Sequence, residues 1–253
     1  MTGHVTKDGD LAGPKTLEHA VDVILPFEGD PRSGLRQLSC GKNRFGPEGE
    51  VAWFEMTSSG LLEIDPTHLL LPGDGEPGTA ISLPMAGRRG LAVEVQALVA
   101  STDGPLRRQV SGLDLRRFQL VAAVLVRAGV PLGRCDLFGA TAGGARLDDP
   151  ACDLAVAAAL ASAATGLPAP AKTAFVGEIG LTGRVRPAPA FGSRISAARG
   201  AGIEAVFAAP GAQAPTGVRL IPVRHVRDAL SWALAAGSGR VRPSDKRSAL
   251  RMA

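Results

Sequence analysis

The chain has 253 residues, 45% of them hydrophobic and 21% charged, with a formal net charge of +4. That is ordinary globular composition, enough to bury a sizeable core in one large domain or two smaller ones. It excludes a membrane-spanning helix, because no apolar run approaches the roughly 20 residues that a bilayer requires. The first residues also lack the charged-then-apolar pattern of a secretion signal, so the cytoplasm is the expected compartment.

The charge is unevenly spread. Residues 1–72 hold six Lys/Arg against eleven Asp/Glu, and the rest of the chain holds 22 against 13. An acidic part followed by a basic part is compatible with a polyanionic partner such as nucleic acid, although high-Arg chains are often basic throughout. Three cysteines, Cys40, Cys135 and Cys152, stand far apart with no CxxC pair. That argues against a zinc site and a disulfide framework, and for a reducing compartment.

In chain order, residues 1–15 read as a polar, Gly-rich loop, and Thr16–Val21 as a short helix with Pro14 near its start. Residues 21–30 (VDVILPFEGD) run from alternating to apolar and end in a turn, as a strand does. Leu35–Leu38, Val51–Met56 and Leu61–Ile64 are three more strand candidates, which together predict an antiparallel hairpin series. Pro72–Gly78 (PGDGEPG) reads as a linker.

Beyond it the pattern becomes mixed α/β. Residues 81–84 and 91–100 predict strands, and Leu113–Arg127 an amphipathic helix. Cys135–Ala140 predicts a strand and Asp149–Ala164 an Ala-rich helix opened by Pro150. Thr173–Gly177 is a strand, Gly180–Val185 a turn or hairpin, and Ser193–Gly200 a helix ending on Gly. Glu204–Ala208 is a strand and Val223–Ala236 a last helix. Residues 238–253 carry five basic groups against one acid and read as a disordered tail.

No Walker A sequence is present, so the chain has no phosphate cradle of that kind. Gly73 to Gly78 fits GxGxxG, but no strand–turn–helix unit surrounds it, and the linker reading is preferred. The four histidines, His4, His19, His68 and His225, are scattered and read as surface or packing residues. The informative segment is Lys42-Asn43-Arg44-Phe45-Gly46. Two cations and an amide beside a Gly turn can present charge to a phosphate. On residue chemistry alone, a solvated hairpin turn is the plainer reading.

The stretch GHVTKDGDLAGPKTLEHAVDVILPFEGD, then KNRFG, then FEMTSSGL, LAVEVQALV, GLDLRR and GEIGLTGRVRP, resembles the bacterial RadA/Sms family from Gly3 to about Trp232. The resemblance implies the end of a RecA-like ATPase sheet over 1–71 and a linker over 72–78. An α/β Lon-protease-like (S5-type) domain over 79–237 and a basic tail over 238–253 complete the expected architecture. It implies a hexameric, DNA-dependent ATPase that promotes branch migration in recombinational repair. Its partners would be single-stranded or branched DNA, further copies of itself and, where one is engaged, a recombinase.

Carried over by position, Lys42, Asn43, Arg44, Phe45 and Gly46 would couple a nucleotide on a neighbouring subunit to DNA. His4, Thr6 and Lys7 would lie in or beside a loop that approaches single-stranded DNA. Family members begin with a four-cysteine zinc finger and a Walker A/Walker B core that uses ATP and magnesium. Neither motif occurs here, so the chain is expected to be a shortened form with no cofactor or metal of its own.

The second part resembles the proteolytic domain of Lon, in which a Ser nucleophile works with a Lys base. The matching stretch is Asp149-Pro150-Ala151-Cys152-Asp153. The Ser position falls on Ala151 and the Lys position on Arg194. Ala offers no nucleophile, and Arg stays protonated at ordinary pH and cannot be a base. Cys152 is one residue out of place and reads as a buried structural cysteine. The domain is therefore expected to be a scaffold offering basic surface to DNA. The candidates are Arg88, Arg89, Arg107, Arg108, Arg116, Arg117, Arg184 and Arg186, each of which reads equally as solvated charge. A purely structural oligomerisation module and a Lon-like peptidase are the competing readings.

Overall fold

The structure is a computed structural model, and it describes residues 20–29, 34–46, 51–64, 75–142, 145–211 and 217–233. The expected helix at Thr16–Val21 lies almost wholly outside them; Ala20 is helical and Val21 is not. The expected strand over 21–30 is two short ones, β1 (Val23–Ile24) and β2 (Phe27–Glu28). Pro26 stands between them and has no N–H to give to a ladder. β3 (Leu35–Ser39), β4 (Lys42–Asn43), β5 (Val51–Thr57) and β6 (Gly60–Ile64) follow.

These strands form the antiparallel series that the sequence predicts, in the order β2-β3-β5-β6, with β1 and β4 paired beside it. The register fixes the faces. Met56 pairs with Leu61, Arg36 with Phe54 and Phe27 with Leu38, so Phe27, Phe54, Met56 and Leu61 share one face. Trp53 faces the other way and is buried.

The remaining strands are β7 (Thr79–Ser82), β8 (Met85–Ala86), β9 (Arg89–Gly90), β10 (Val93–Ser101), β11 (Arg108–Ser111), β12 (Cys135–Thr141), β13 (Thr173–Val176), β14 (Glu178–Ile179), β15 (Val185–Arg186), β16 (Ala205–Ala208) and β17 (Arg219–Pro222). The helices are α1 (Leu115–Ala128), α2 (Asp153–Thr165), α3 (Phe191–Gly200) and α4 (Val226–Ala229), with a single 3-10 turn at Pro150–Cys152. Seven strands make a mixed sheet in the order β11-β12-β10-β7-β13-β16-β17.

Two apolar cores lie against it. One holds Phe118, Val121 and Leu125 of α1, most of α2, and Val226 and Ala229 of α4. The other holds Ile195 and Ala198 of α3 with Leu83, Ala151, Ala174 and Val206. The fold is thus α/β with helices on both sides of the sheet. α2 is the central element: it is buried continuously from Asp153 to Ser162, which its alanines permit by letting strands approach closely.

α1 begins where the Asp114 side chain accepts from the Arg117 N–H and ends on Gly129 in the left-handed region. Gly139 on β12 makes room for α1, because a Cβ there would stand 2.6 Å from the Phe118 ring. Gly78, at the end of the expected linker, is buried. Its N–H donates to the Ser162 hydroxyl at 2.8 Å, and its carbonyl accepts from Ala97 N at 2.7 Å. The Gly78 backbone is thus built into the second part of the molecule.

β4, β11, β17 and the β8–β9 hairpin escape the sequence reading. Their strands are only two to four residues long, so alternation has little length in which to register. The last helix, expected over Val223–Ala236, is a single turn at α4, followed by helical residues 231–233. Residues 234–236 lie outside the described residues, as do residues 72–74 of the expected linker and the tail over 238–253.

Candidate functional site

Lys42-Asn43-Arg44-Phe45-Gly46 forms an over-determined turn. Ile24 pairs with Lys42 and Val23 with Asn43. The Arg44 N–H donates to the Asp22 carbonyl at 3.0 Å, and the Arg44 guanidinium meets the Asp22 carboxylate at 3.1 Å. The Lys42 ammonium donates to the Val21 carbonyl at 2.6 Å. Asn43 closes the turn through its side chain, accepting from Phe45 N at 3.0 Å. The result holds Phe45 81% exposed. Both cations are therefore tied to the segment Val21–Asp22, and either must exchange that contact to reach a phosphate. His4, Thr6 and Lys7 lie outside the described residues.

The basic candidates divide. Arg88, Arg89, Arg107, Arg116, Arg184 and Arg186 are exposed. Arg108 is half-buried, and its guanidinium donates to the carbonyls of Arg107 and Cys135. Arg117 is not a surface cation. It makes a two-pronged ion pair with Asp153, whose side chain is 5% exposed, and lies 3.8 Å from Glu178. Asp153 also accepts the Ile179 N–H at 3.0 Å. Burial draws Asp153 up from the usual carboxylate range, against the pull of Arg117 and of that N–H. The hydrogen bond to Asp153 raises Arg117 in turn. Of the candidates for a DNA-facing surface, Arg108 and Arg117 are engaged by the chain's own carbonyls and carboxylates.

The expected dyad positions are brought together through a third residue. Ala151 sits in the 3-10 turn, 3% exposed, and its N–H donates to the Asp149 carboxylate at 2.9 Å. The other oxygen of Asp149 meets the Arg194 guanidinium at 2.6 Å. Arg194 is 1% exposed and donates further to the Leu83 carbonyl at 2.5 Å and the Pro189 carbonyl at 2.9 Å. A base position filled by a buried guanidinium cannot take a proton, and a nucleophile position filled by a methyl cannot attack.

Cys152 does not replace the missing serine. Ala151 packs into the core on the α3 side of the sheet, and Cys152 into the core on the α2 side, so consecutive residues face opposite ways. Burial pushes the Cys152 thiol to about 12, far from the thiolate that nucleophilic attack requires.

Asp149, Asp153 and His225 are the functional-looking groups that sequence reasoning missed. Asp149 also accepts the Met85 N–H at 3.2 Å, so one carboxylate joins the β8–β9 hairpin, the 3-10 turn and α3. The signal available in the sequence was an acidic residue before Pro150, which marks a helix start and nothing more. His225 caps α4, accepting Arg227 N at its Nδ1, and its Nε2 lies 3.0 Å from the Thr182 carbonyl. Among the described residues no group of three or more His, Cys, Asp or Glu is arranged to hold a metal. No described helix is long and apolar enough to cross a membrane.

Residues 139–239 match the family described as Lon protease (S16) C-terminal proteolytic domain. The chain is similar to the DNA repair protein RadA of Mycolicibacterium smegmatis, 43% identical over 91% of this chain and 50% of that protein. It is similar to the RadA proteins of Streptococcus pneumoniae, 41% identical over 93% of this chain and 58% of that one, and of Helicobacter pylori, 42% identical over 77% and 44%. The chain spans about half the length of the curated relatives it matches.

Proposed function

The chain belongs to the RadA family of DNA-repair proteins over the 91% of its length that aligns with them, matching their C-terminal portion, and on that premise we propose that it is a DNA-contacting, ring-forming portion of a DNA-dependent ATPase of recombinational repair. The observation that supports this reading is the set of contacts at the positions matched to the Lon dyad. Arg194, Asp149 and Ala151 are committed to one another and to the backbone. Arg107, Arg116, Arg184 and Arg186 stay exposed on the same fold. A proteolytic scaffold that has lost its chemistry and kept exposed cations suits phosphate contact better than peptide hydrolysis.

In this proposal Lys42 and Arg44 respond to a nucleotide held on a neighbouring subunit, releasing Val21 and Asp22 as they do so. ATP and magnesium belong to the family's Walker core and are not bound by these residues alone. Single-stranded or branched DNA, further copies of the chain and a recombinase are the proposed partners, and the cytoplasm the proposed compartment. Binding of a fluorescent single-stranded oligonucleotide tests the reading. Affinity should fall steeply between about 50 and 200 mM salt, and each of Lys42→Ala and Arg44→Ala should weaken it. Salt-independent binding or none would refute it.

A second reading is favoured by the apolar face of the first sheet, where Phe27, Met56 and Leu61 are each 45–48% exposed. Such a face suits subunit association without DNA contact. Sedimentation of the chain with and without oligonucleotide separates the two: assembly unaffected by DNA, with no DNA bound, supports the structural module.

A further inference from the structure

The GEIGLTGRVRP segment forms the β14–β15 hairpin, and the Lon-like reading leaves its tip without a role. Glu178 pairs with Arg186 and Ile179 with Val185. Ile179 and Val185 face inward and are buried, which leaves Arg184 and Arg186 on the outward side. At the tip Leu181 is 72% exposed. A single exposed leucine means little by itself; here the backbone beneath it is held on every side.

Gly180 N donates to Arg184 O at 3.0 Å and Gly183 N to Gly180 O at 2.8 Å. From the neighbouring segment, Val226 N donates to Gly183 O at 2.8 Å, and Val185 N donates to Arg224 O at 3.0 Å. The His225 ring backs the turn. Its Nδ1 accepts the Arg227 N–H, so Nε2 carries the hydrogen and donates to Thr182 O. Gly183 is at φ +85°, and a Cβ there would lie 2.5 Å from the His225 ring. The turn can neither flatten nor rotate Leu181 inward.

Charge says what such a tip meets. Arg184 and Arg186 lie on the hairpin, and Arg224 and Arg227 on the segment bonded to it, all exposed. The Arg227 guanidinium reaches the carbonyl of Arg127, a fifth exposed arginine. Against them stand Glu178, 3.8 Å from Arg186, and Asp228, whose carboxylate caps the His225 N–H. A rigid apolar tip in a field of net positive charge repels a basic partner. It fits nucleic acid, whose phosphates take the arginines and whose base steps take an apolar wedge.

We infer that Leu181 is a wedge for a DNA base step, seated by Arg184 and Arg186 on the flanking phosphates. This rests on the DNA-binding reading above and sharpens it. Opening a stacked step in intact duplex is costly, and that cost is already met where stacking is broken. The hairpin therefore favours junctions and bulges over continuous duplex.

The test compares the whole chain on a three-way junction and on a duplex of equal length, each carrying 2-aminopurine at the central step. Wild type should bind the junction about tenfold tighter and raise the 2-aminopurine fluorescence. Leu181→Ala should keep duplex affinity, lose most of the preference and leave the fluorescence unchanged, while Leu181→Met should restore both. Arg184→Ala should weaken both substrates alike. Equal affinity of wild type for the two substrates, or a preference that survives Leu181→Ala, overturns the wedge and leaves DNA binding standing. Failure to bind either substrate at low salt overturns both. Thermal unfolding of each variant confirms that the hairpin substitution leaves the fold intact.

Discussion

The Arg194 guanidinium stands 2.6 Å from the carboxylate of Asp149, two residues before Ala151, the position expected to match the serine of Lon. The pair joins α3 to the 3-10 turn and, through the Met85 N–H, to the β8–β9 hairpin. Arg194 is 1% exposed and Asp149 16%, so removing either partner strands a charge in a water-poor site. Arg194→Ala and Asp149→Ala should each cost about 3–5 kcal/mol in urea unfolding. The double variant should fall well short of the sum, because the second removal strands nothing new.

Restoring the dyad residues should not restore chemistry. In Ala151→Ser/Arg194→Lys a lysine ammonium would inherit Asp149 as counter-ion, which holds it protonated and unfit as a base. It would also lose contacts that the guanidinium makes to Leu83 and Pro189. Casein cleavage should stay at background and the unfolding temperature should drop. Cleavage above background would show that the site is nearer to function than its geometry indicates.

Cys152 should resist alkylation. With its thiol pushed to about 12 by burial, iodoacetamide at pH 8 should label Cys40 and Cys135, both half-buried, and leave Cys152 untouched until denaturant is added. Peptide mass mapping reads the result directly.

Arg117→Ala should act on stability, unlike the exposed arginines. Asp153 would lose its strongest opposing partner, so its carboxyl, already raised by burial, would rise further. A carboxyl raised on folding favours the folded state below its unfolded value and disfavours it as pH climbs through the folded one. The deficit against wild type should therefore be largest near pH 7 and shrink as the buffer falls to about pH 4. Urea titrations at both pH values check the sign. A deficit that grew on acidification would mean that Asp153 is held by something other than Arg117.

Gly183→Ala should disrupt the β14–β15 turn, since a Cβ at φ +85° meets the His225 ring. The expected cost is about 1–3 kcal/mol, with faster trypsin cleavage after Arg184. His225→Ala should reproduce part of that loss without the backbone strain. An unchanged cleavage rate in both would contradict the bracing of the turn.

How much of this was legible in the residues differs from element to element. Leu115–Ala128 could be read because its stripe of Phe118, Val121 and Leu125 repeats at helical spacing between an Asp cap and a glycine. β5 and β6 could be read as short, largely apolar runs on either side of the turn at Thr57–Gly60. The roles of Ala151 and Arg194 followed from side-chain chemistry alone, since a methyl and a guanidinium lack the needed atoms wherever they are placed. Asp149, Asp153 and His225 were not legible, because their partners are far along the chain: Arg194, Arg117 and Thr182.

The sequence by itself determined the α/β class, the RadA resemblance and the side-chain types at the positions matched to the Lon dyad, an alanine and an arginine, since local periodicity, motif identity and functional-group inventory do not depend on packing. Only the tertiary structure decided which arginines are available. Arg108 and Arg117 look the same on paper as Arg107 and Arg116, yet one member of each neighbouring pair turns to a buried carbonyl or carboxylate while the other faces solvent. The cost of an unsatisfied buried polar group makes that division, and it is set by residues distant in sequence.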